Sequence, residues 1–440
     1  MYGLNDLKHK RICILGCGKT GISAIVALKK ANAKVYAYDD NEIYLKKICD
    51  EYSVEAFSNQ EIDILFVSPG IPNNKLIRHK LIESNQFIPI ISDIEILQCT
   101  HKNAKYIGIT GTNGKSTTTS LIGEILQNND AIVCGNIGNP VLSMNKASIY
   151  VVELSSYQLD LIQDPKLNVA ICLNITPDHL DHYMNIYDYA QSKARIFHND
   201  SINIISVDYD ICKNIAKDLK NCIPISREIT LQYGISILNN VLIINNCFNV
   251  IGQKEYILPN NLALAGKYNA ENIAAAVAAC LAMNVNIETI LNGIQNFKGL
   301  PHRMERIQVN NITFINDSKA TNCASTKAAL SSLNNHRIIW IAGGVYKDGA
   351  LESLREFFPL IDKAYLIGES TDEFFDILTK YGVAAEKSFT LENALNSTVK
   401  NLSNQVVLLS PACASTDQWK NFEERGNFFR SSIEKIFSDD

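Results

Sequence analysis

Three times along the chain, a short apolar strand leads into a glycine-containing turn. The first unit is RICIL (11–15), GCGKTG (16–21) and the helical pattern ISAIVALKKANA (22–33), followed by the strand KVYAYDD (34–40). The second is KYIGIT (105–110), GTNGKS (111–116) and TTTSLIGEIL (117–126). The third starts at RIIWIAGG (337–344), between the predicted strands TFIND (313–317) and QVVLLSP (405–411). Strands that alternate with helices predict parallel sheets built from βαβ units, so we expect an α/β protein.

The length of 440 residues suggests about three domains, at roughly 150 residues per domain. The stretch 91–103 separates the first unit from the second, and KGLP (298–301) breaks the chain before the third. We therefore predict domains at 1–93, 94–299 and 300–440. The Asn- and Ile-rich segment 200–259 contains short strand-like runs, which predict extra β strands in the central domain.

The charge and cysteine content of the chain limit the classes of binding partner and the compartment. The 41 Lys and Arg residues against 46 Asp and Glu give a net charge of −5, which offers no general attraction to nucleic acid or anionic membrane. Any phosphate binding must therefore be local. Twelve cysteines without a C-x-x-C pair indicate reduced thiols in a cytoplasmic protein, and no apolar run approaches the length of a membrane span.

The turn GTNGKS resembles a P-loop, in which backbone amides surround phosphates, the lysine meets the β and γ oxygens and the serine holds Mg²⁺. The common spacing requires a glycine at position 109, where this chain has Ile109. This departure argues against the Ras-like and kinase-like P-loops. The predicted ATP-binding residues of the loop are Gly111, Thr112, Asn113, Gly114, Lys115, Ser116 and Thr117.

Acidic and histidine residues follow two other predicted strands. Glu153 ends the strand 149–152, at the edge where ligands of α/β sheets collect, and is a candidate Mg²⁺ ligand. The cluster Asp178-His179-Leu-Asp181-His182 follows the strand VAICLNIT and could bind zinc in a di-metal hydrolase. No third nitrogen or sulfur ligand is nearby, so a second Mg²⁺ held by one histidine with carboxylate support fits better. For His182, a solvent-exposed turn remains open.

The first glycine turn has its own alternative reading. Gly16-x-Gly18-x-x-Gly21 after a strand, with Asp39 ending the next strand, is typical of dinucleotide binding. A nicotinamide-dependent dehydrogenase is therefore one alternative, although it does not explain Lys115, Ser116 or Glu153. A nucleotide-binding switch or scaffold is another.

Together these segments resemble the ATP-dependent Mur ligases of peptidoglycan synthesis, along nearly the whole chain. The segments that carry the resemblance are GITGTNGKSTTT (108–119), GNIG (135–138), VELSSYQL (152–159), NITPDHLDHY (174–183), SKARIF (192–197), GLPHRME (299–305), INDSKATN (315–322) and SPACASTDQWKNFEERGNFF (410–429). The last segment looks like that of the family member that adds D-glutamate. A D-N-P-R motif, typical of members that add diaminopimelate, is absent. Folylpolyglutamate synthases share the three-domain plan, but are not expected to carry the first glycine turn.

The resemblance implies a Rossmann-like N-terminal domain, a central P-loop ATPase-type domain with a mostly parallel sheet, and a Rossmann-like C-terminal domain. It also implies a reaction in which ATP phosphorylates the alanyl carboxylate of UDP-N-acetylmuramoyl-L-alanine. D-Glutamate then attacks the acyl phosphate, and ADP and phosphate are released. Two Mg²⁺ ions, a lysine carbamylated by CO₂ and a monomeric protein are implied as well.

The family pattern also implies roles for individual residues. Lys115, His179 and Lys193 would be catalytic, and the metal ligands would be Ser116, Glu153, His179 and Lys193. Further ATP contacts would come from Asn269, Asn272, Arg303 and Asp317. The UDP-substrate contacts would be Gly18, Lys19, Thr20, Asp39, Ser68, Pro69, Gly70 and Asn136. D-Glutamate would meet Lys319, Thr321, Lys347, Ser415 and Phe422.

Several positions depart from the family pattern or have a plain reading from sequence. Lys19 stands where an aliphatic residue is expected, Asp40-Asn41 replaces a threonine-arginine pair, and Thr416 replaces a leucine. Without the resemblance, Lys193 is predicted to be an exposed helix lysine.

Overall fold

A computed structural model describes residues 2–72, 78–178, 182–264, 266–310, 312–346, 351–399 and 405–438. The chain divides into two compact units. Unit 1 comprises Met1–Asn261 and Lys267–Phe297, and unit 2 comprises Leu262–Gly266 and Lys298–Asp440. Unit 1 contains a five-stranded and a nine-stranded sheet, and unit 2 contains a six-stranded sheet.

The five-stranded sheet of unit 1 is parallel throughout, in the order β3-β2-β1-β4-β5. Its central strands are apolar and buried on both faces, as expected for a parallel sheet covered by helices. Its elements are β1 Arg11–Leu15, α1 Lys19–Lys30, β2 Lys34–Tyr38, α2 Glu42–Tyr52, β3 Glu55–Ala56, β4 Ile64–Val67, α3 Lys80–Ser84, β5 Ile90–Ile91 and α4 Asp93–Thr100.

The nine-stranded sheet follows the order β14-β13-β12-β11-β10-β9-β6-β8-β7. Only its β12-β13 and β13-β14 pairs are antiparallel. Ala-rich α9 and the phosphate-loop helix α5 pack together against this sheet. Its elements are β6 Lys105–Thr110, α5 Lys115–Ile125, β7 Ala131–Gly135, β8 Ile149–Glu153, α6 Ser156–Leu161, β9 Val169–Cys172, α7 Ile186–Ala194, β10 Ile202–Ser206, α8 Asp210–Ala216, β11 Cys222–Ser226, β12 Gly234–Leu238, β13 Val241–Asn245, β14 Gln253–Ile257, α9 Lys267–Ala282 and α10 Ile287–Asn296.

Both sheets of unit 1 share contacts around α4. Gln98 donates its side-chain amide to the Lys166 carbonyl at 2.9 Å, and the Gln163 amide donates to Glu95 at 3.1 Å. Leu161 at the end of α6 belongs to the apolar core of the five-stranded sheet. The two hydrogen bonds attach α4 to residues 163–166, and Leu161 packs with residues that precede the predicted boundary at residue 93.

Unit 2 has the sheet order β15-β16-β20-β17-β18-β19, in which only the β15-β16 pair is antiparallel. Trp340 on the central strand is fully buried, and its Nε1 donates to the Ser410 carbonyl at 2.8 Å. The elements are β15 Glu305–Val309, β16 Ile312–Asn316, α11 Cys323–Ser332, β17 Ile338–Gly343, β18 Ile361–Ile367, α12 Thr371–Lys380, β19 Ala385–Phe389, α13 Leu391–Val399, β20 Val406–Leu409 and α14 Phe422–Ser438, with a 3₁₀ helix at Leu351–Leu360.

The predicted α/β class, with three sheets and a mostly parallel central one, is confirmed. Two helices begin earlier than the periodicity predicted, because α1 starts at Lys19 and α5 at Lys115. Each therefore includes part of the glycine turn that was predicted to precede it. The domain limits at 93 and 299 stay predictions. No helix among the described residues is long and apolar enough to cross a membrane.

Candidate active site

The phosphate-loop turn lies between β6 and α5 of the nine-stranded sheet. Gly111 and Gly114 have φ values of +150° and +83°, which side-chain-bearing residues rarely adopt. A Cβ on Gly114 would also lie only 2.1 Å from Oδ1 of Asn272 on α9. Glycine is thus required at 114 by both conformation and space, and the turn places the backbone amides at the start of α5.

A polar cluster behind the turn fixes its shape. The Asn113 amide donates to Asn174 Oδ1 at 2.8 Å, and Asn174 Nδ2 donates to the Asn113 carbonyl at 3.2 Å. The Thr112 amide donates to the Asn174 carbonyl at 2.8 Å. Because Asn174 follows β9, the strand beside β6, the neighbouring strand holds the loop in register.

Lys115 and Ser116 occupy the first turn of α5. Lys115 Nζ lies 2.8 Å from both the Gly111 and the Thr112 carbonyl oxygens, so its ammonium group lies over the loop. Ser116 is buried, and Thr117 is partly buried. The lysine is therefore within reach of any anion that the loop amides would bind.

Glu153 ends β8 at the strand position paired with Ile109 of β6. Its Oε1 accepts from Asn136 Nδ2 at 3.0 Å, and its carbonyl accepts from the Asn136 amide at 3.0 Å. Its Oε2 is buried and has no hydrogen-bond partner among the described residues. A buried carboxylate oxygen without a donor is costly unless a cation meets it, so this acid fits a site for a hard cation such as Mg²⁺.

Lys193 on α7 is 1% exposed, and the reading of it as an exposed helix lysine is wrong. Its Nζ donates to the Gly111 carbonyl at 2.9 Å and lies 4.5 Å from the Tyr189 ring centroid. Burial, together with the nearby Lys115, lowers the pKa of Lys193 to about 7. A large share of this amine is therefore neutral near pH 7.

The histidine cluster is only partly described. His179 and Asp181 lie outside the described residues. His182 makes an edge contact with the Tyr157 ring at 4.5 Å between centroids, so it is packed against an aromatic side chain. The described residues include no group of three or more His, Cys, Asp or Glu side chains that could hold a metal ion.

The adenine candidates lie at the start of α9. Asn272 Nδ2 donates to Asn269 Oδ1 at 3.0 Å, and Asn272 Oδ1 accepts from Thr118 of α5 at 3.2 Å. Glu271, which no sequence motif singled out, lies between them and is 3% exposed. Its carboxylate lies 3.4 Å from Asn174 Nδ2 and 3.3 Å from the Tyr209 hydroxyl, and both groups donate to it.

Glu271 and Asn174 carry signals that sequence reasoning could have used. Glu271 is a lone acid in the apolar helix pattern NAENIAAAVAAC, and Asn174 stands directly after a strand that neighbours the loop strand. Burial raises the pKa of Glu271 to about 7. The folded protein therefore retains a proton that the unfolded chain loses near pH 4.5.

This proton gives a stability prediction. Between about pH 4.5 and pH 7 the folded state binds more protons than the unfolded state, so Glu271 lowers stability as pH rises through this window. The Glu271→Gln variant lacks this titration. The quantity to measure is the melting temperature of the variant minus that of the unchanged protein at the same pH. We expect this difference to increase by about 2 °C or more from pH 5 to pH 8. The control is Glu255→Gln on exposed β14, whose difference should stay flat; a flat difference for Glu271→Gln would refute the assignment.

The first glycine turn forms a separate cluster in the five-stranded sheet. A Cβ on Gly21 would lie 2.0 Å from the Gly16 carbonyl oxygen, so the turn needs glycine where it passes the start of α1. Ser68 Oγ donates to the same carbonyl at 2.6 Å. Asp39 accepts from the Cys17 amide at 2.9 Å and from the Asn41 amide at 3.1 Å, so it braces the turn.

The other predicted UDP-substrate residues surround the start of α1. Helix α1 begins after Gly18 without a side-chain cap, and Lys19 is exposed. Thr20 and Pro69 are partly buried, and Gly70 is exposed. Asn136 does not lie in this cluster, because it contacts Glu153 in the nine-stranded sheet.

The remaining candidates lie in unit 2, at the carboxyl ends of β16 and β20. Asp317 Oδ2 accepts from Ser410 at 2.8 Å and Oδ1 accepts from the Met304 amide at 3.2 Å; burial raises its pKa to about 7. The partly buried Arg303 is close enough to oppose this rise.

The described residues among those predicted to bind D-glutamate lie in neighbouring segments of unit 2. Lys319 Nζ lies 3.9 Å from the Phe422 ring centroid, and the Thr321 amide donates to the Lys319 carbonyl at 2.8 Å. Ser415 is buried and Thr416 is exposed. Lys347 lies outside the described residues. Nothing in the structure explains the Thr416 departure.

Residues 109–280 match the family described as Mur ligase middle domain, and residues 302–413 match the one described as Mur ligase, glutamate ligase domain. The chain belongs to the Mur ligase family. This membership confirms the resemblance and removes the dehydrogenase and switch alternatives.

Similar curated proteins narrow the comparison within this family. The UDP-N-acetylmuramoylalanine–D-glutamate ligase of Rickettsia prowazekii (strain Madrid E) is 40% identical over 451 residues, covering 97% of this chain and 98% of that protein. The protein of the same name from Wolbachia pipientis wMel is 37% identical, covering 98% of both chains.

Solved structures support the fold. The UDP-N-acetylmuramate-alanine ligase MurC from Thermotoga maritima has a TM-score of 0.61 at 17% identity and covers 97% of this chain and 100% of that one. A pseudomurein peptide ligase type C from Methanothermus fervidus has a TM-score of 0.58 at 21% identity, with the same coverage.

Proposed function

We propose that this protein joins D-glutamate to UDP-N-acetylmuramoyl-L-alanine, with ATP as the energy source, in the synthesis of peptidoglycan precursors. The observation that carries this proposal is the full-length similarity, at 35–40% identity, to several proteins named UDP-N-acetylmuramoylalanine–D-glutamate ligase. The phosphate loop, Lys115 and the partnerless oxygen of Glu153 in one sheet are what this chemistry needs.

The reaction proceeds in two steps. The alanyl carboxylate oxygen forms a bond to the γ-phosphorus of ATP, the bond between that phosphorus and the β–γ bridging oxygen breaks, and ADP leaves. The neutral amine of D-glutamate then forms a bond to the carbonyl carbon. The carbon–oxygen bond to phosphate breaks, phosphate leaves and the amine releases a proton. Phosphorylation is needed because a bare carboxylate has no leaving group.

The loop amides and Lys115 bind the transferring phosphates and orient them toward the acceptor. Ser116 and Glu153 would hold a first Mg²⁺, and His179 with Lys193 as a carbamate would hold a second. Bound Mg²⁺ would supply neutralisation of the charge on the phosphate oxygens. Asn269 and Asn272 contact adenine, while Arg303 and Asp317 contact the phosphates and ribose.

The two other substrates use the remaining residues. The turn around Gly18, Lys19 and Thr20, with Asp39, Ser68, Pro69 and Gly70, binds the UDP portion, and Asn136 acts on the central side of the same substrate. Lys319, Thr321, Lys347, Ser415 and Phe422 bind D-glutamate. We further propose a cytoplasmic monomer with domains at 1–93, 94–299 and 300–440.

The test is phosphate release from ATP by the purified protein. Release should require both UDP-N-acetylmuramoyl-L-alanine and D-glutamate, and omission of either should reduce it to background. Release with diaminopimelate or L-lysine in place of D-glutamate would overturn the proposal in favour of a sister ligase.

The carbamate on Lys193 gives a separate prediction. A neutral amine attacks CO₂, forming a nitrogen–carbon bond and releasing one proton, so the reaction requires the unprotonated lysine. With the pKa of Lys193 at about 7, its neutral fraction rises from about 10% at pH 6 to about 90% at pH 8. The ¹³C signal of a carbamate, after incubation with ¹³C-bicarbonate, is therefore expected to grow through pH 7 and to be absent in Lys193→Ala.

The same variant should lose about 100-fold in kcat, because it lacks the carbamate that would help to hold the second Mg²⁺. Acetate or formate should restore part of the activity, whereas chloride should not. Lys213→Ala, which changes an exposed lysine on α8, is the matched control and should keep normal kcat. A folded Lys193→Ala protein that no short carboxylic acid rescues would contradict the carbamate assignment.

A further inference from the structure

Arg425, in the first turn of α14, is 0% exposed. Its Nε donates to Ser318 Oγ at 3.0 Å, and its Nη2 donates to the Ser318 and Cys413 carbonyls at 2.9 and 3.0 Å. These three acceptors are neutral oxygens. Among the described residues its Nη1 is buried without a hydrogen-bond partner. A buried guanidinium that donates only to neutral oxygens carries a desolvation cost, which the nearby carboxylate of Asp417 offsets in part.

The hydrogen bonds of Arg425 connect the loops that carry residues predicted to bind D-glutamate. Ser318 precedes Lys319 and Thr321, and its Oγ also donates to the Phe422 carbonyl at 2.9 Å. Cys413 lies two residues before Ser415. One side chain therefore ties the loop after β16 to the loop after β20 and to the start of α14.

A third loop approaches the same guanidinium. A Cβ on Gly344 would lie 3.3 Å from Arg425 Nη1, and Val345 and Ala414 exchange two backbone hydrogen bonds of 2.9 and 3.0 Å. The free edge of the guanidinium thus faces the turn after β17. Burial lowers the pKa of Arg425 to about 10, so the group remains a cation at neutral pH.

The electrostatic demand of the substrate matches this arrangement. D-Glutamate must lose its ammonium proton before its amine can attack, and the reactive form then carries two carboxylates and no positive charge. A fixed cation that is less screened by water than a surface lysine lowers the free energy of this dianion.

We propose that Arg425 is the positioning residue of the amino-acid site, which holds the loops around Ser318 and Cys413 together and favours a substrate with two carboxylates. This inference rests on the proposed function, because it takes D-glutamate as the substrate.

The experiment compares the steady-state kinetics of Arg425→Met, Arg425→Lys and the unchanged protein. Arg425→Met should raise the KM for D-glutamate by about 30-fold, because it removes three charge-assisted hydrogen bonds and the charge. The KM values for ATP and the UDP substrate should stay within about 2-fold of those of the unchanged protein. The residues predicted to contact these two substrates accept none of the three hydrogen bonds that Arg425 donates. Arg425→Lys restores the charge but not the planar set of donors, so the KM for D-glutamate should stay about 3- to 10-fold above normal.

Arg430→Met is the matched control. Arg430 is on the same helix, pairs with Glu305 and makes no hydrogen bond to Ser318 or Cys413 among the described residues, so its loss should leave the KM for D-glutamate unchanged. An unchanged KM in Arg425→Met, or an equal rise in all three KM values, would overturn the inference. If Arg425→Met does not fold, the decision rests on Arg425→Lys: a KM for D-glutamate that rises alone supports the inference, and normal kinetics refute it. If the unchanged protein does not use D-glutamate, the proposed function itself fails.

Discussion

Replacing Lys115 by alanine is expected to lower kcat by about 1000-fold, because this ammonium is the cation of the loop that meets the transferring phosphate. Its Nζ already lies 2.8 Å from two loop carbonyls, so the side chain is in place before nucleotide binds. The measurement is phosphate release at saturating substrates. A single-turnover assay, with enzyme in excess over substrate, separates the chemical step from product release.

The matched control is Lys105→Ala, which removes an exposed lysine at the other end of β6. This variant should retain normal kcat and a normal melting temperature. A Lys115→Ala protein that is folded and keeps more than about one tenth of normal kcat would contradict the role given to the loop.

Replacing Glu153 by glutamine is expected to lower kcat by about 1000-fold at physiological Mg²⁺. Glutamine keeps the shape of the side chain and can still accept from Asn136, but it lacks the anionic oxygen that fits a metal ion. The concentration of Mg²⁺ that gives half-maximal activity should rise, so that part of the loss is recovered at high Mg²⁺.

Two comparisons make this result specific. Glu255→Gln changes an exposed glutamate on β14 of the same sheet and should leave the Mg²⁺ dependence unchanged. Equal activity of Glu153→Gln and the unchanged protein at all Mg²⁺ concentrations would remove Glu153 from the metal site. An increase in melting temperature is also expected for Glu153→Gln without metal, since a buried negative charge is neutralised.

Local pattern was enough to predict the elements that carry the site. Strand β6, the glycine turn and α5 are contiguous in sequence, and their geometry depends on short-range rules about glycine and helix starts. The position of Glu153 was predictable for a similar reason, since a charged residue that ends an apolar strand lies at the carboxyl end of the sheet, where ligands bind. The extra strands β12, β13 and β14 were also predictable from their apolar runs.

The burial and long-range contacts of other site residues depend on tertiary packing and could not be predicted from the local sequence. Lys193 has the sequence context of an exposed helix lysine, yet α7 packs so that the side chain is buried against the loop carbonyl of Gly111. Glu271 contacts Asn174, 97 residues earlier, through a contact that no local periodicity reports. Arg425 lies in a polar stretch that predicts exposure, although the structure buries it completely.

Helix α1 begins after Gly18 with no side chain to cap its first amides. The carboxylate of Asp39 accepts from the amides of Cys17 and Asn41 and so stabilises the turn before the helix. The amides of the first turn therefore depend on water unless an anion binds there. Amide hydrogen exchange at the start of α1 should consequently slow when the UDP substrate binds, which makes this helix end a reporter of substrate occupancy separate from catalysis.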